Sequence, residues 1–331
     1  MIADPRKRPA TRPPDTRPDT RPDALAIFAM LLFWGWVVAM ALRGMLRWDH
    51  VAVAVFATSL SWGPAWARRL LRGVLPLGLV GLTYDAMRFV EHVGVSESTV
   101  HVCDLRSVEL RWFGIVSGGQ RITLHDWLQP RATPWLDVLA AIPYGAFLAV
   151  VFGYCIYLFA RDFEAQQRFG WAFFALNLIG FTTYHLYPAA PPWYFHRYGC
   201  TVDLHAVASA GPNLMRVDGW LGVPYFAGLY GRASDVFGAV PSLHVAYPSL
   251  MLATGWRVHG RFGRALLVLF LAWMSCSAVY LDHHWVVDIL TGALYAFAVA
   301  YAARRISSFL AERALSTESP TVPGSLPSAR T

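Results

Sequence analysis

Eight stretches of this sequence are long and apolar enough to cross a bilayer, and this constrains the fold more than any other feature. A helical span needs about 20 mostly apolar residues, because lipid offers backbone polar groups no partner outside their own helix. The stretches run over 24–42, 50–67, 73–92, 136–160, 171–188, 238–256, 265–282 and 284–303. The second is the weakest, being cut by Gly63 and Pro64, and the last two are separated only by a tight turn at Asp282 to His284. Composition agrees. Of 331 residues, 56% are hydrophobic and 15% charged, with a mean hydropathy of +0.39, whereas soluble domains carry about 25% charged residues. Such a chain is not disordered and does not suit a single soluble globule. Four cysteines are too few for a secreted module built on disulfides. The expected fold is all-α, a polytopic helical bundle with about eight transmembrane helices.

Arginines give the orientation, since short cytoplasmic loops collect basic residues. The tail before the first span carries Arg6, Lys7, Arg8, Arg12, Arg17 and Arg21. Alternate loops then receive Arg68, Arg69 and Arg72, next Arg161 and Arg168, then Arg257, Arg261 and Arg264, and finally Arg304 and Arg305. Both termini are therefore expected in the cytoplasm of a bacterial inner membrane. Two long loops of mixed charge, about 93–135 and 189–237, fall on the outer face. Residues 1–23, with their repeated Thr-Arg-Pro-Asp, read as a solvated leader rather than a cleaved signal, and 24–303 as one membrane domain. Residues 304–331 read as a cytoplasmic tail, disordered from about 316.

Ten of the eleven histidines fall on the outer side under this topology, His259 being the exception. Three segments meet there. Gly238-Ala239-Val240-Pro241-Ser242-Leu243-His244 opens the sixth span, where Pro241 and Ser242 suit a helix start that can receive an anion. Asp282-His283-His284-Trp285-Val286-Val287-Asp288 opens the eighth. On a helix, His284 and Asp288 share one face and His283 does not. A carboxylate on one imidazole nitrogen fixes the tautomer and frees the other as nucleophile or base, and an acid inside a span is costly enough to need a function. Tyr184 to Tyr194 leaves the fifth span through Pro188, Pro191 and Pro192, an extended, rigid stretch whose Tyr184, Trp193 and Tyr194 are expected at the substrate. Taken singly, each feature has a bland explanation: an interfacial histidine, a structural hydrogen bond, loop architecture. Two helix starts on one face, each with an early histidine and one with an acid partner, point to catalysis.

These segments resemble the type 2 phosphatidic acid phosphatase superfamily over roughly residues 136–303. Pro241-Ser242-Leu243-His244 matches its Pro-Ser-x-His block, and His284 to Asp288 its His-x-x-x-Asp block. Pro191-Pro192-Trp193-Tyr194 and the His-His pair look like the inositol phosphorylceramide synthase branch. The resemblance implies a six-helix core, with His284 attacking a lipid phosphate to form a phosphohistidine and Asp288 supporting it. His244 would protonate the leaving alkoxide and then deprotonate the acceptor. The implied activity is transfer of a phosphorylated head group, phosphoinositol first, from a phospholipid to a lipid or alcohol hydroxyl. The alternative is a phosphatase that uses water. Expected partners are membrane lipids and not nucleic acid, with no cofactor and no metal.

Departures from the family pattern matter. Its phosphatases carry Lys-x6-Arg-Pro, yet Lys7 is the only lysine and Arg-Pro occurs only in the leader. The arginine six residues before the nucleophile is replaced by Ala278. A transferring phosphoryl group still calls for positive charge, which makes Arg88 the first candidate clamp, with Arg197 and Arg232 next. Arg88 has Asp85 three residues away as a rival partner. Competing classes are a metal hydrolase with His244, His284 and Asp288 as ligands, and a transporter, which should spread its charges through the membrane depth. Cys103 and Cys200 stand in the two outer loops on the oxidising side, where a disulfide is open to them although no spacing demands it. His125 to Pro130 is expected to lie flat at the interface beside the substrate's path.

Overall fold

The computed structural model describes residues 22–207, 211–231 and 236–318; the leader up to residue 21 and the chain beyond 318 lie outside them. The chain divides into two compact units, one up to Leu75 and one from Pro76 onward.

In the first unit, α1 (Ala24–Leu42) starts at Asp23, whose carboxylate accepts the Ala26 N–H at 2.9 Å. It pairs with α2 (Trp48–Ser61): the Trp34 indole donates to Thr58 Oγ1 at 2.9 Å, and Ser61 Oγ donates to the Ala26 carbonyl at 3.3 Å. The stretch expected at 50–67 is broken in two, α2 ending at Ser61 and the next helix starting at Ala65, because Gly63 and Pro64 interrupt it. Helix α3 (Ala65–Ala86) runs on into the second unit.

In the second unit, the first long loop folds into α4 (Cys103–Phe113), a short hairpin of β1 (Ile115–Ser117) and β2 (Gln120–Ile122), and α5 (Leu124–Leu128). Two long helices follow, α6 (Pro134–Arg161) and α7 (Phe163–Leu186). The second long loop carries α8 (Pro192–Tyr198), α9 (Gly211–Leu221) and α10 (Tyr225–Tyr230), and α11 (Leu243–Gly255), α12 (Arg261–Tyr280) and α13 (Val286–Glu318) complete the bundle. All eight apolar stretches carry a helix. Among the described residues, five helices are long and apolar enough to cross a membrane: Ala24–Leu42, Ala65–Phe89, Pro134–Arg161, Arg261–Tyr280 and Val286–Leu310. The protein is a multi-pass, helical membrane protein.

Two helices begin later than the apolar pattern predicts. The span expected from 238 becomes helical only at Leu243, because Phe237 to Ala239 is drawn out to pair with Ala189 and the Ser242 N–H donates to the Asp288 carbonyl instead. At 13 residues, α11 is therefore too short to cross lipid alone, about 20 Å by helical rise against a core of about 30 Å. It is instead a core element, packed against α7, α12 and α13 with nearly every side chain buried. Its start rests directly on α13: a Cβ at Gly292 would overlap the Ser242 carbonyl, so only glycine permits this approach. Helix α13 begins at Val286 rather than His284 and continues unbroken to Glu318, past residue 304 where the tail was expected.

The two long loops are tied to each other. Cys103 and Cys200 form a disulfide. Of the stretch expected to be extended from Tyr184 to Tyr194, only Pro188 to Pro191 is, because α7 runs to Leu186 and Pro192 opens α8; this short piece lies between both loops. The His101 N–H donates to the Pro188 carbonyl and the Ala190 N–H to the His101 carbonyl, each at 2.8 Å. On the other side the Ala239 N–H donates to the Ala189 carbonyl at 3.1 Å.

Candidate active site

The proline segment places the loop that carries His284. Pairing with Ala189 fixes Ala239, and the Ala239 carbonyl accepts the Nδ1–H of His284 at 3.0 Å. The same segment holds both ends of that loop: the Trp193 N–H donates to the Asp282 carbonyl and the Trp285 indole to the Ala190 carbonyl, each at 3.0 Å. The Ala278 carbonyl receives the N–H groups of His283 and His284 at 3.1 and 3.2 Å. The position where phosphatases carry an arginine thus serves as a backbone anchor.

His284 and Asp288 do meet, although not through a shared helical face, since His284 precedes the helix. The Asp288 carboxylate turns back to accept the Trp285 N–H at 2.8 Å, which brings its Oδ2 within 3.5 Å of His284 Nδ1. Sequence reasoning missed Glu109. From α4 this buried carboxylate accepts the Val286 N–H at 3.1 Å, the first backbone donor of α13. Burial pushes its pKa up, against the pull of its hydrogen bond to Val286.

With Nδ1 committed, the free nitrogen of His284 is Nε2, and His244 Nδ1 lies 3.2 Å from it. Ser242 caps α11 by accepting the Val245 N–H, which sets the position of His244 two residues on. Tyr230 of α10 holds the far nitrogen of His244 at 3.1 Å. Tyr144 stacks on the His244 ring at 4.5 Å. The resulting row is Tyr230, His244, His284, then Ala239 and Asp288. His244 and Asp288 sit on opposite nitrogens of His284, so the three do not surround a common point as ligands would.

The pair closes one end of an apolar cavity of about 550 Å³ that reaches along α3, α6, α7 and α11. Tyr184 and Trp193 line it, and Tyr184 Oη also donates to the Pro241 carbonyl at 3.1 Å. His283 lines it too, against the expectation that it faces elsewhere, because the turn at Asp282 swings it beside Tyr144 and Tyr230. Pro241, Ser242 and Tyr194 frame the cavity without lining it. Ser242 is spent on its cap, and Tyr194 Oη bonds the Thr201 carbonyl and the Asp203 N–H.

The arginine expectations fare differently. Arg88 turns onto Asp85, the pairing foreseen as its rival, and does not line the cavity. Arg197 is exposed and lies over the Tyr198 ring at 5.2 Å. Arg232 lies outside the described residues. Among the described residues no arginine or lysine lines the cavity. The segment from His125 to Pro130 folds as the end of α5 and the 3-10 turn after it, and borders a separate groove instead, with His125 fully buried.

Asp282, just before the two histidines, belongs to a charged cluster. Arg106 grips Asp126 at 2.8 and 3.1 Å, and His196 bridges Asp126 at 3.1 Å and Asp282 at 2.7 Å. His125 Nδ1 stands 3.3 Å from the other Asp282 oxygen. Burial pulls the His196 pKa down, but hydrogen bonds to the two carboxylates outweigh it and hold the imidazole at about 9. Burial pushes Asp126 up, yet His196 and Arg106 keep it well below the usual carboxylate range.

Comparison with known proteins fits this arrangement. The model of the PAP2 superfamily matches residues 120–302. The phosphoinositol dihydroceramide synthase of Bacteroides thetaiotaomicron is 33% identical over 252 residues, 75% of this chain and 81% of that one. The inositol phosphorylceramide synthase of Candida albicans is 33% identical over 179 residues, and the catalytic subunit of the Saccharomyces cerevisiae enzyme 28% over 178. Each match covers 53% of this chain, with 38% and 44% of the respective relative, so the chain spans less than half the length of these fungal proteins. No solved structure matches the chain. The chain belongs to the PAP2 superfamily, in its inositol phosphorylceramide synthase-like branch.

Proposed function

We propose that this protein is a phosphotransferase that moves phosphoinositol from a phospholipid to the hydroxyl of a ceramide-type lipid, through a phosphohistidine on His284. The observation that carries the reading is the facing pair, His244 Nδ1 to His284 Nε2 at 3.2 Å, at the end of an apolar cavity. The lone pair of His284 Nε2 attacks phosphorus while the bond from phosphorus to the glycerol oxygen breaks. That oxygen takes the proton from Nδ1 of a protonated His244, whose Nε2–H is held by Tyr230. The phosphorylated imidazole is cationic, and the Ala239 carbonyl and the Asp288 carboxylate stabilise it from the Nδ1 side. In the second half, His244 takes the proton of the acceptor hydroxyl, the new oxygen–phosphorus bond forms, and the nitrogen–phosphorus bond breaks.

Charge supports a diester donor. A phosphodiester carries a single negative charge, whereas a phosphomonoester carries about −1.5 to −2 at neutral pH. A cavity lined by histidines and no described arginine or lysine suits the former better. The apolar lining also favours a lipid alcohol over water as acceptor. By the arginine distribution, both termini lie in the cytoplasm of a bacterial inner membrane and the histidine pair faces outward. The leader to residue 23 precedes the membrane helices, α13 carries the chain past residue 304 as helix, and Arg232 is the remaining candidate for a clamp on the phosphate.

The test is direct. Purified protein is given labelled phosphatidylinositol or labelled phosphatidic acid, each with and without ceramide. The account expects an inositol-containing sphingolipid from the first donor. Release of free phosphate from phosphatidic acid as the only reaction would overturn it.

A further inference from the structure

Away from its histidine end the cavity wall is mostly apolar; besides Tyr84 on α3, its polar groups deeper in are a hydrogen-bonded pair. Tyr247 of α11 donates its hydroxyl to Asn177 Oδ1 of α7 at 2.6 Å, and Asn177 Nδ2 donates to the Phe173 carbonyl at 2.8 Å. Both residues are buried and both line the cavity. Hydrogen-bonding capacity remains on each: a second N–H on the Asn177 amide and a lone pair on the Tyr247 oxygen. Tyr247 follows His244 by one helical turn, about 4.5 Å along the axis. Phe147 lies against both rings, at 4.9 Å from His244 and 6.2 Å from Tyr247, so one aromatic wall connects them.

A donor and an acceptor side by side, one turn from the catalytic base, match a specific chemistry. An amide-linked lipid alcohol carries an N–H and a carbonyl a few bonds from its primary hydroxyl. An ester-linked diacylglycerol offers carbonyls there but no N–H. We infer that Asn177 and Tyr247 form the acceptor subsite, with Asn177 donating to the amide carbonyl and the Tyr247 oxygen accepting the amide N–H. The inference rests on the reading of this site as a phosphotransferase to a lipid hydroxyl. It makes Tyr247 Oη the discriminating atom. The diacylglycerol released in the first half-reaction can use only the Asn177 donor, so the amide lipid displaces it and the reaction runs forward.

The test is a competition. Full-length protein in nanodiscs receives phosphatidylinositol with equal amounts of ceramide and labelled diacylglycerol of matched chains. Capture of the latter returns labelled phosphatidylinositol. Tyr247→Phe keeps the ring and removes only the oxygen, and the ceramide-to-diacylglycerol product ratio is expected to fall about tenfold or more. Tyr154→Phe, which removes a buried hydroxyl of α6 outside the cavity, is expected to keep the wild-type ratio. A Tyr247→Phe ratio within about twofold of wild type would overturn the subsite, since an accepted N–H is worth more than that. Wild-type protein that makes no ceramide product from phosphatidylinositol would instead overturn the phosphotransfer reading beneath it.

Discussion

The proposed chemistry depends on which nitrogen each histidine presents, and neighbours in other parts of the chain decide this. His284 presents Nε2 because the Ala239 carbonyl takes Nδ1, and His244 presents Nδ1 because Tyr230 takes Nε2. Tyr230→Phe should leave the fold intact and lower turnover by about tenfold, the worth of one hydrogen bond to a charged group at ~1.5 kcal/mol. Because Tyr230 holds the proton-carrying imidazole, the alkaline limb of the pH–rate profile should shift as well, which steady-state assays across pH would show. His244, His284 and Asp288 were legible in the sequence because their spacing is itself the signal. Tyr230 and Ala239 were not, since their roles come from contacts 14 and 45 residues away. Arg88 misled for an electrostatic reason: a charge at the bilayer edge pairs with the nearest opposite charge, and Asp85 is one turn away.

At the scale of elements, the start of α13 is the exposed point of the design. No Ser, Thr, Asp or Asn precedes Val286 to cap it. Asp288 turns back to Trp285, and Glu109 arrives from α4 to take the Val286 N–H. Glu109→Ala should therefore loosen the turn that carries His284, costing about 1–3 kcal/mol for an unsatisfied buried donor, with a matching loss of turnover. Glu109→Gln keeps an acceptor oxygen and should restore most of both. Thermal unfolding in detergent alongside turnover checks this, and a glutamine variant as impaired as alanine would contradict it. Apolar runs showed where α11 and α13 lie but not where they begin. Backbone pairing with Ala189 claims Phe237 to Ala239, a contact that no periodicity records.

Across the whole molecule, the bundle was legible from apolar length alone, because lipid leaves the backbone few alternatives. The architecture of the two long loops was not. Their disulfide was open on sequence grounds, whereas the cluster of Arg106, Asp126, His196 and Asp282 joins residues far apart in the chain. This cluster makes stability depend on pH. His196 titrates at about 9 in the folded protein against an ordinary 6.5, so its stabilising charge is complete below about 6.5 and is lost as pH rises through 9. The melting temperature should fall over that window, and His196→Gln should flatten the fall; parallel melting curves from pH 6 to about 10 would show both.

The central claim is that His284 carries the transferred group. Phosphatidylinositol labelled in its phosphate is mixed with the protein without acceptor, quenched in alkali, and the protein digested. The account predicts an alkali-stable, acid-labile label on the peptide holding His284, discharged when ceramide is added and absent from His284→Ala. Label on another residue, or undiminished turnover by the alanine variant, would contradict it.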